Sequence, residues 1–213
     1  MEGTNNLNFK AIHIARTQNI AKKSAPIIDI YKLTGKDAKF LNELRKQKNF
    51  KELMPELTEY DANRWQKVFE YGIDSAQIPY YNSYLAVSEN KPCGLLVLEE
   101  LGPQRLILDC ICKIPTKKST TTKGAGEALF TQMFKYADEK SAKSIDLKAV
   151  TDGPFDVVKK YENLGFLNIG WDEMYVHMSC HKFKIKEQLK KLLAQISYKP
   201  TKTSENVNLD YLL

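Results

Sequence analysis

The residues of this chain best suited to chemistry form one short run, Thr121-Thr122-Lys123-Gly124-Ala125-Gly126, followed directly by Glu127-Ala128-Leu129-Phe130. Two glycines spaced by one residue let a backbone turn tightly and approach a ligand closely, because neither carries a Cβ. An apolar run, Leu106 to Ile114, precedes them and reads as a buried strand. Ala128, Leu129, Phe130, Met133 and Phe134 follow at helical spacing. The glycines therefore fall where a strand turns into a helix. A helix start presents unpaired N–H groups and partial positive charge, both suited to a phosphate. A plain turn reads equally well from the glycines alone.

Other chemistry-bearing residues offer less. His177 and His181 share one face of an expected strand, but Cys180 points to the other, which argues against a metal site. Cys110 and Cys112 share a strand face inside an apolar run, where packing is the default. The four cysteines lack a Cys-x-x-Cys pair, so reduced thiols in a cytoplasmic protein are expected.

The 213 residues suit one α/β domain with additions, and 43% apolar content is ordinary for a globular chain. No apolar run reaches the length of a membrane span, and Met1 to Lys10 lacks the apolar segment of a secretory signal. The net charge of +6 is carried mostly by lysine, with only Arg16, Arg45, Arg64 and Arg105. Base readout and bidentate phosphate contacts favour arginine, so a solvated lysine surface is preferred to a nucleic-acid surface. An anionic small molecule would profit from the same field.

The elements that must position the glycine run follow from periodicity. Residues 1–25 read as a polar N-terminal extension, partly disordered or adding an edge element. Ile27–Leu33 alternates as a strand, and Ala38, Leu41 and Leu44 mark a helix. Thr58 with Asp61 resembles a capping box opening a second helix, which Gly72 would end. Three strands, Tyr81–Val87, Gly94–Glu99 and Arg105–Ile114, are joined by links short enough for antiparallel hairpins. After the glycine helix, Ser144–Val150 alternates as a strand, and a strand–helix–strand crossover of that length should be parallel. Asp152-Gly153-Pro154 starts a further helix through Val157, Val158, Tyr161 and Leu164, stopped by Gly165. Phe166–Ile169 and Met174–Met178 close the sheet as a hairpin. Residues 26–183 thus form the main domain, 184–199 an amphipathic helix, and 200–213 a polar tail.

This order, with Tyr161-Glu162-Asn163-Leu164-Gly165-Phe166 after the second helix, resembles the GCN5-related N-acetyltransferase (GNAT) superfamily. Thr121 to Gly126 is similar to the family's Gln/Arg-x-x-Gly-x-Gly/Ala loop, and Tyr161-x-x-x-Gly165-Phe166 to its second-helix signature. The resemblance covers about Ile27 to His181. It departs at Thr121, where the family has Gln or Arg, at Pro154 and Val157, and in a longer loop over 116–120. It implies an α+β fold: a mixed, mostly antiparallel sheet with one splayed parallel strand pair and flanking helices.

The resemblance also implies an acyl-CoA-dependent N-acyltransferase passing an acetyl group from acetyl-CoA to an amine; a catalytically silent acyl-CoA-binding module is the alternative. The pyrophosphate is expected on the backbone of Lys123, Gly124, Ala125, Gly126 and Glu127, with charge from Lys117, Lys118 and Lys123 and further contacts from Thr121 and Thr122. The end of the strand at Cys112, Lys113 and Ile114 would hold pantetheine. Tyr161 matches the family's general-acid position, and a phenol is protonated at neutral pH. A base is needed too, because an alkylamine cannot attack as ammonium. Asp109, sharing a face with Ile107 and Ile111 by alternation, should be desolvated with its pKa raised. A paired structural acid is the other reading of Asp109, and Glu99, Glu100, Asp146 or a water relay compete. The acceptor is expected beside Tyr60, Trp65, Tyr80 and Tyr81. No metal or membrane partner is expected, and the chain reads as a monomer or homodimer.

Overall fold

The computed structural model describes residues 11–20, 24–151, 156–201 and 206–213. Strand β1 (Ala11–Asn19) and β2 (Ile28–Lys32) lead through a 3-10 turn, Gly35–Asp37, into α1 (Ala38–Gln47), α2 (Phe50–Leu53) and α3 (Glu59–Ala76). A meander follows: β3 (Tyr81–Ser88), β4 (Lys91–Glu100) and β5 (Arg105–Lys113). A small hairpin, β6 (Pro115–Lys117) and β7 (Thr120–Thr121), precedes α4 (Ala125–Glu139), β8 (Ser144–Val150) and α5 (Val157–Asn163). The chain closes with β9 (Leu167–Trp171), β10 (Tyr175–His181), α6 (Lys182–Leu193), β11 (Ile196–Pro200), β12 (Asn206–Val207) and a 3-10 turn at Asp210–Leu212.

The main sheet runs β11-β1-β2-β3-β4-β5-β8-β10-β9, with β12 also on β1. Among the described pairings only β5 with β8 is parallel. Neighbouring residues of a central strand feed opposite cores, as pleating requires. Leu96 joins Leu108, Leu129, Phe134 and Ile145 under α4 and α6. Leu95 joins Phe40, Phe50, Phe69 and Leu85 under α1 and α3. The sheet is thus covered on both faces, which explains the near-continuous apolar run of β4.

Several expectations change. The N-terminal extension does add a strand, from Ala11, but an interior one between β11 and β2 rather than an edge, with Ala11 and Ala15 buried. Gly72 does not end its helix; α3 continues to Ala76 because the missing Cβ lets it sit close on β5, where an added Cβ would stand 2.7 Å from Cys110 Sγ. The C-terminal helix stops at Leu193, and Ile196–Pro200 pairs with Ala15–Asn19 as a strand. The tail is anchored by buried Leu209 and Leu212. The expected helix start at Asp152-Gly153-Pro154 lies outside the described residues; Asp156 caps α5, accepting from the Lys159 N–H at 2.9 Å. Among the described residues, no helix is long and apolar enough to cross a membrane.

Candidate functional site

The site begins where β5 leaves β8. Their parallel register runs from Arg105↔Ser144 to Leu108↔Leu147 and stops there. On its other side β5 pairs with β4, but Leu98 faces Leu108 and Val97 faces Cys110, so Asp109 is an extra residue in a β-bulge. The bulge also flips the faces. Leu106 and Leu108 belong to the α4 side, whereas Cys110 and Cys112 belong to the α3 side. Beyond Leu108 one edge of β5 has no described strand partner, so its backbone polar groups need partners elsewhere.

One of them is found in α3. Trp65 Nε1 donates to the Lys113 carbonyl at 3.1 Å. Ile114 N–H donates to the Cys93 carbonyl, and Ile114 is fully buried. The following hairpin leans on α2: Ser119 N–H donates to the Leu53 carbonyl and Ser119 Oγ to Glu56. Lys117 and Lys118 are exposed beside it. Thr121 and Thr122 are half-buried, with the two hydroxyls of Thr116 and Thr122 3.5 Å apart.

Gly124 has φ +88° and caps α4 without any side-chain hydrogen bond, a conformation in which a Cβ is strained. Ala125 is fully buried beneath the turn. A Cβ on Gly126 would lie 3.5 Å from Lys113 Cε and 3.8 Å from Lys160 Nζ, so two cations from separate elements converge on the first turn of α4. Burial, then the charge of Lys113, lowers the Lys160 pKa. Its ammonium also sits over the Phe130 ring, 5.4 Å from the centroid. Lys113, Lys123, Gly124 and Glu127 line a cleft of about 330 Å³ together with the N-terminal wall of Thr17–Asn19 and Ser24–Pro26. Sequence reasoning missed Lys160 and this N-terminal wall. The one available signal was the position of Lys160 beside Tyr161 in the second-helix motif.

Tyr161 packs edge-on against Phe130 and Phe166, at 6.1 and 5.6 Å between centroids. Burial, and then the thiols of Cys110 and Cys112, push its phenol well above the ordinary value. Those thiols lie on β5 beyond the bulge, so Tyr161 is within electrostatic reach of the strand segment that has left β8.

Asp109 does not share a face with Ile111: Asp109 faces α3, opposite to Leu108, while the bulge shifts Ile111 onto the α4 core. Tyr71 OH donates to Asp109 Oδ1 at 2.7 Å. Asp109 Oδ2 is buried and has no hydrogen-bond partner among the described residues, a cost of roughly 1–3 kcal/mol if nothing offsets it. Burial, then the bond to Asp109, lifts the Tyr71 phenol to about 12. Tyr81, close to Asp109 and Glu99, is lifted to about 12, again mainly by burial. Two rival carboxylates are committed: Glu100 to Tyr136, Asn82 and Lys140, and Asp146 to Ser179 and Arg105. Tyr80 stacks edge-on upon Tyr81 and, like Tyr60, is exposed. His177 is taken by Asp172 at 2.7 Å.

A strand pair that parts beside a glycine-led helix defines the GCN5-related N-acetyltransferase (GNAT) fold, and solved structures agree. FdhC, a nucleotide-linked sugar GNAT, is 14% identical with a TM-score of 0.52, covering 88% of this chain and 97% of its own. An aminoglycoside 6'-acetyltransferase type Ii is 15% identical with a TM-score of 0.51, covering 72% and 96%. An uncharacterized protein from Bacillus halodurans is 8% identical with a TM-score of 0.51, covering 78% and 90%. No protein-family model and no curated protein sequence matches the chain. At these identities the likeness establishes the fold, and the chain has the GNAT fold.

Proposed function

We propose that the protein is an acetyl-CoA-dependent N-acetyltransferase acting on an amine. The observation that carries this reading is the meeting of Lys113 and Lys160 at the Gly126 turn, beside the point where β5 and β8 part. Two lysines held together repel unless an anion joins them. A pyrophosphate on the N–H groups of Gly126 and Glu127 meets that need. The edge of β5 from Asp109 to Cys112, which has no strand partner among the described residues, offers backbone groups to pantetheine amides, and a neighbour of the same fold is by name an acetyltransferase.

The residues then divide the proton work. Asp109 takes one proton from the acceptor ammonium, freeing the nitrogen lone pair. The nitrogen bonds to the thioester carbonyl carbon and the carbon–sulfur bond breaks, sulfur leaving with the electron pair. Tyr161 gives its proton to that sulfur and is reprotonated by the second proton lost from nitrogen. One proton passes from Asp109 to solvent. A phenol held protonated by burial suits the donor's part.

Thermal unfolding with acetyl-CoA, CoA and a plain nucleotide tests the binding half. A ligand at about 100 times its Kd adds about 2.7 kcal/mol to the folded state. The midpoint should rise with both CoA species and not in Gly124→Glu. Thiol release over a panel of amines tests the transfer; tight binding without turnover would leave a cofactor-binding module.

A further inference from the structure

The base assigned above is shielded, and a shielded base needs a route to its substrate. Asp109 Oδ2 is out of contact with solvent, and Oδ1 is covered by Tyr71. Tyr71 itself is 53% exposed, so an approaching acceptor meets the phenol before the carboxylate. The phenol spends its hydrogen on Asp109, which leaves its oxygen as the acceptor group of the pair.

We infer that Tyr71 and Asp109 form a two-residue proton relay on the acceptor side, in which Tyr71 is the group that touches the amine. Its oxygen takes a proton from the acceptor ammonium while its own proton moves along the 2.7 Å hydrogen bond to Asp109 Oδ1. One N–H bond breaks and one O–H bond forms at the carboxylate; the phenol loses one O–H bond and gains another, ending as it began, and no oxidant or further reactant is needed. The inference rests on the transferase reading.

Three observations support it independently of that reading. Asp109 is the bulge residue at the point where β5 and β8 part, so the pair stands at the opening between the strands. Tyr71 is the one hydrogen-bond partner of Asp109 among the described residues. The neighbouring groups, Tyr81 and Glu99 from β3 and β4 and Cys110 from β5, include no cation to neutralise the carboxylate. An ammonium is therefore the charge that the pair lacks.

The experiment measures acetyl transfer to spermidine and to kanamycin, both ammonium-bearing at pH 7, and to hydroxylamine, which is neutral there. Tyr71→Phe, Asp109→Asn and the double variant are compared with the wild type. With whichever ammonium substrate the wild type uses, each single variant should lose 10²-fold or more in kcat, the lower end of general acid–base contributions. The double variant should be no worse than either single one, because a relay fails as a unit. Acetyl-CoA affinity should stay within twofold, and the loss should shrink toward none with hydroxylamine, which needs no deprotonation. An active wild type with Tyr71→Phe unchanged, or losses that multiply in the double variant, would overturn the relay and leave the transferase standing. A wild type that binds acetyl-CoA yet acetylates none of the three would overturn both.

Discussion

Trp65 and Lys113 are joined by a hydrogen bond from the indole N–H to the backbone carbonyl, 3.1 Å across the gap between α3 and the end of β5. The bond lies beyond the last β5–β8 pair, where among the described residues no strand partner remains for β5 on that side. It therefore does the holding that a neighbouring strand does elsewhere. The indole also packs edge-on against Phe50, at 5.3 Å. Trp65→Phe keeps much of the packing and removes the donor, so stability should fall by about 1–3 kcal/mol in urea unfolding. Acetyl-CoA affinity, measured by calorimetry, should fall several-fold as the strand end loosens; an unchanged Kd would show that this end of β5 does not hold the ligand.

Lys160 supplies the second prediction. Lys160→Ala removes one of the two cations facing Gly126, and Lys160→Glu reverses it. Because burial, and then the charge of Lys113, lowers the Lys160 pKa, the protein without ligand should gain or keep stability in Lys160→Ala. Binding of acetyl-CoA should weaken by about tenfold or more, with a shallower dependence on salt. Tyr161→Phe is the contrasting case: turnover should drop while acetyl-CoA affinity stays near normal.

These residues also mark what the sequence could and could not disclose. The strand–glycine turn–helix–strand unit is legible because periodicity and glycine position are local properties, and Leu129, Phe130, Met133 and Phe134 bury as their spacing requires. The bulge at Asp109 is not legible, because an extra residue exists only relative to the register of β4. Strict alternation accordingly misassigned the face of Ile111, and with it the company of Asp109. Tyr71 and Lys160 looked like ordinary helix residues until the partner element was known. The pairing of Ala15–Asn19 with Ile196–Pro200 joins residues far apart in the chain, so local periodicity extends the amphipathic helix over residues 196–199 where the structure has a strand.

A third prediction concerns pH. Burial raises the thiols of Cys93 and Cys180 from an ordinary value near 9 to about 12. In the unfolded chain both ionise near pH 9, whereas the folded chain keeps them protonated. Between these values the unfolded state binds fewer protons, so stability falls as pH rises. The contribution is complete below pH 9 and is lost across pH 9 to 12, at up to about 1.4 kcal/mol per pH unit for each thiol. Thermal midpoints should therefore stay flat from pH 7 to 8.5 and decline steadily above 9. A Cys93→Ala, Cys180→Ala double variant should show a shallower decline; an identical slope would exclude the thiols as its cause.

Gly72 couples the fold to the acceptor side. An added Cβ there would meet Cys110 Sγ at 2.7 Å and Leu95 Cδ2 at 3.1 Å, and both neighbours are buried. Gly72→Ala gains about 1 kcal/mol of helix propensity and loses about 1–3 kcal/mol to overpacking, so a net loss of about 1 kcal/mol is expected. The backbone must move away from β5 to relieve the contact. Tyr71 is the preceding residue of the same helix turn, so its hydroxyl moves with it and the bond to Asp109 lengthens. Turnover should then fall more than the small stability loss would suggest, while acetyl-CoA affinity, set on the far side of β5, stays within twofold. Gly72→Ser should be worse on both counts, since its hydroxyl enters the same crowded space. If Gly72→Ala lowers the unfolding midpoint but leaves kcat untouched, the distance between α3 and β5 does not govern the Tyr71–Asp109 pair.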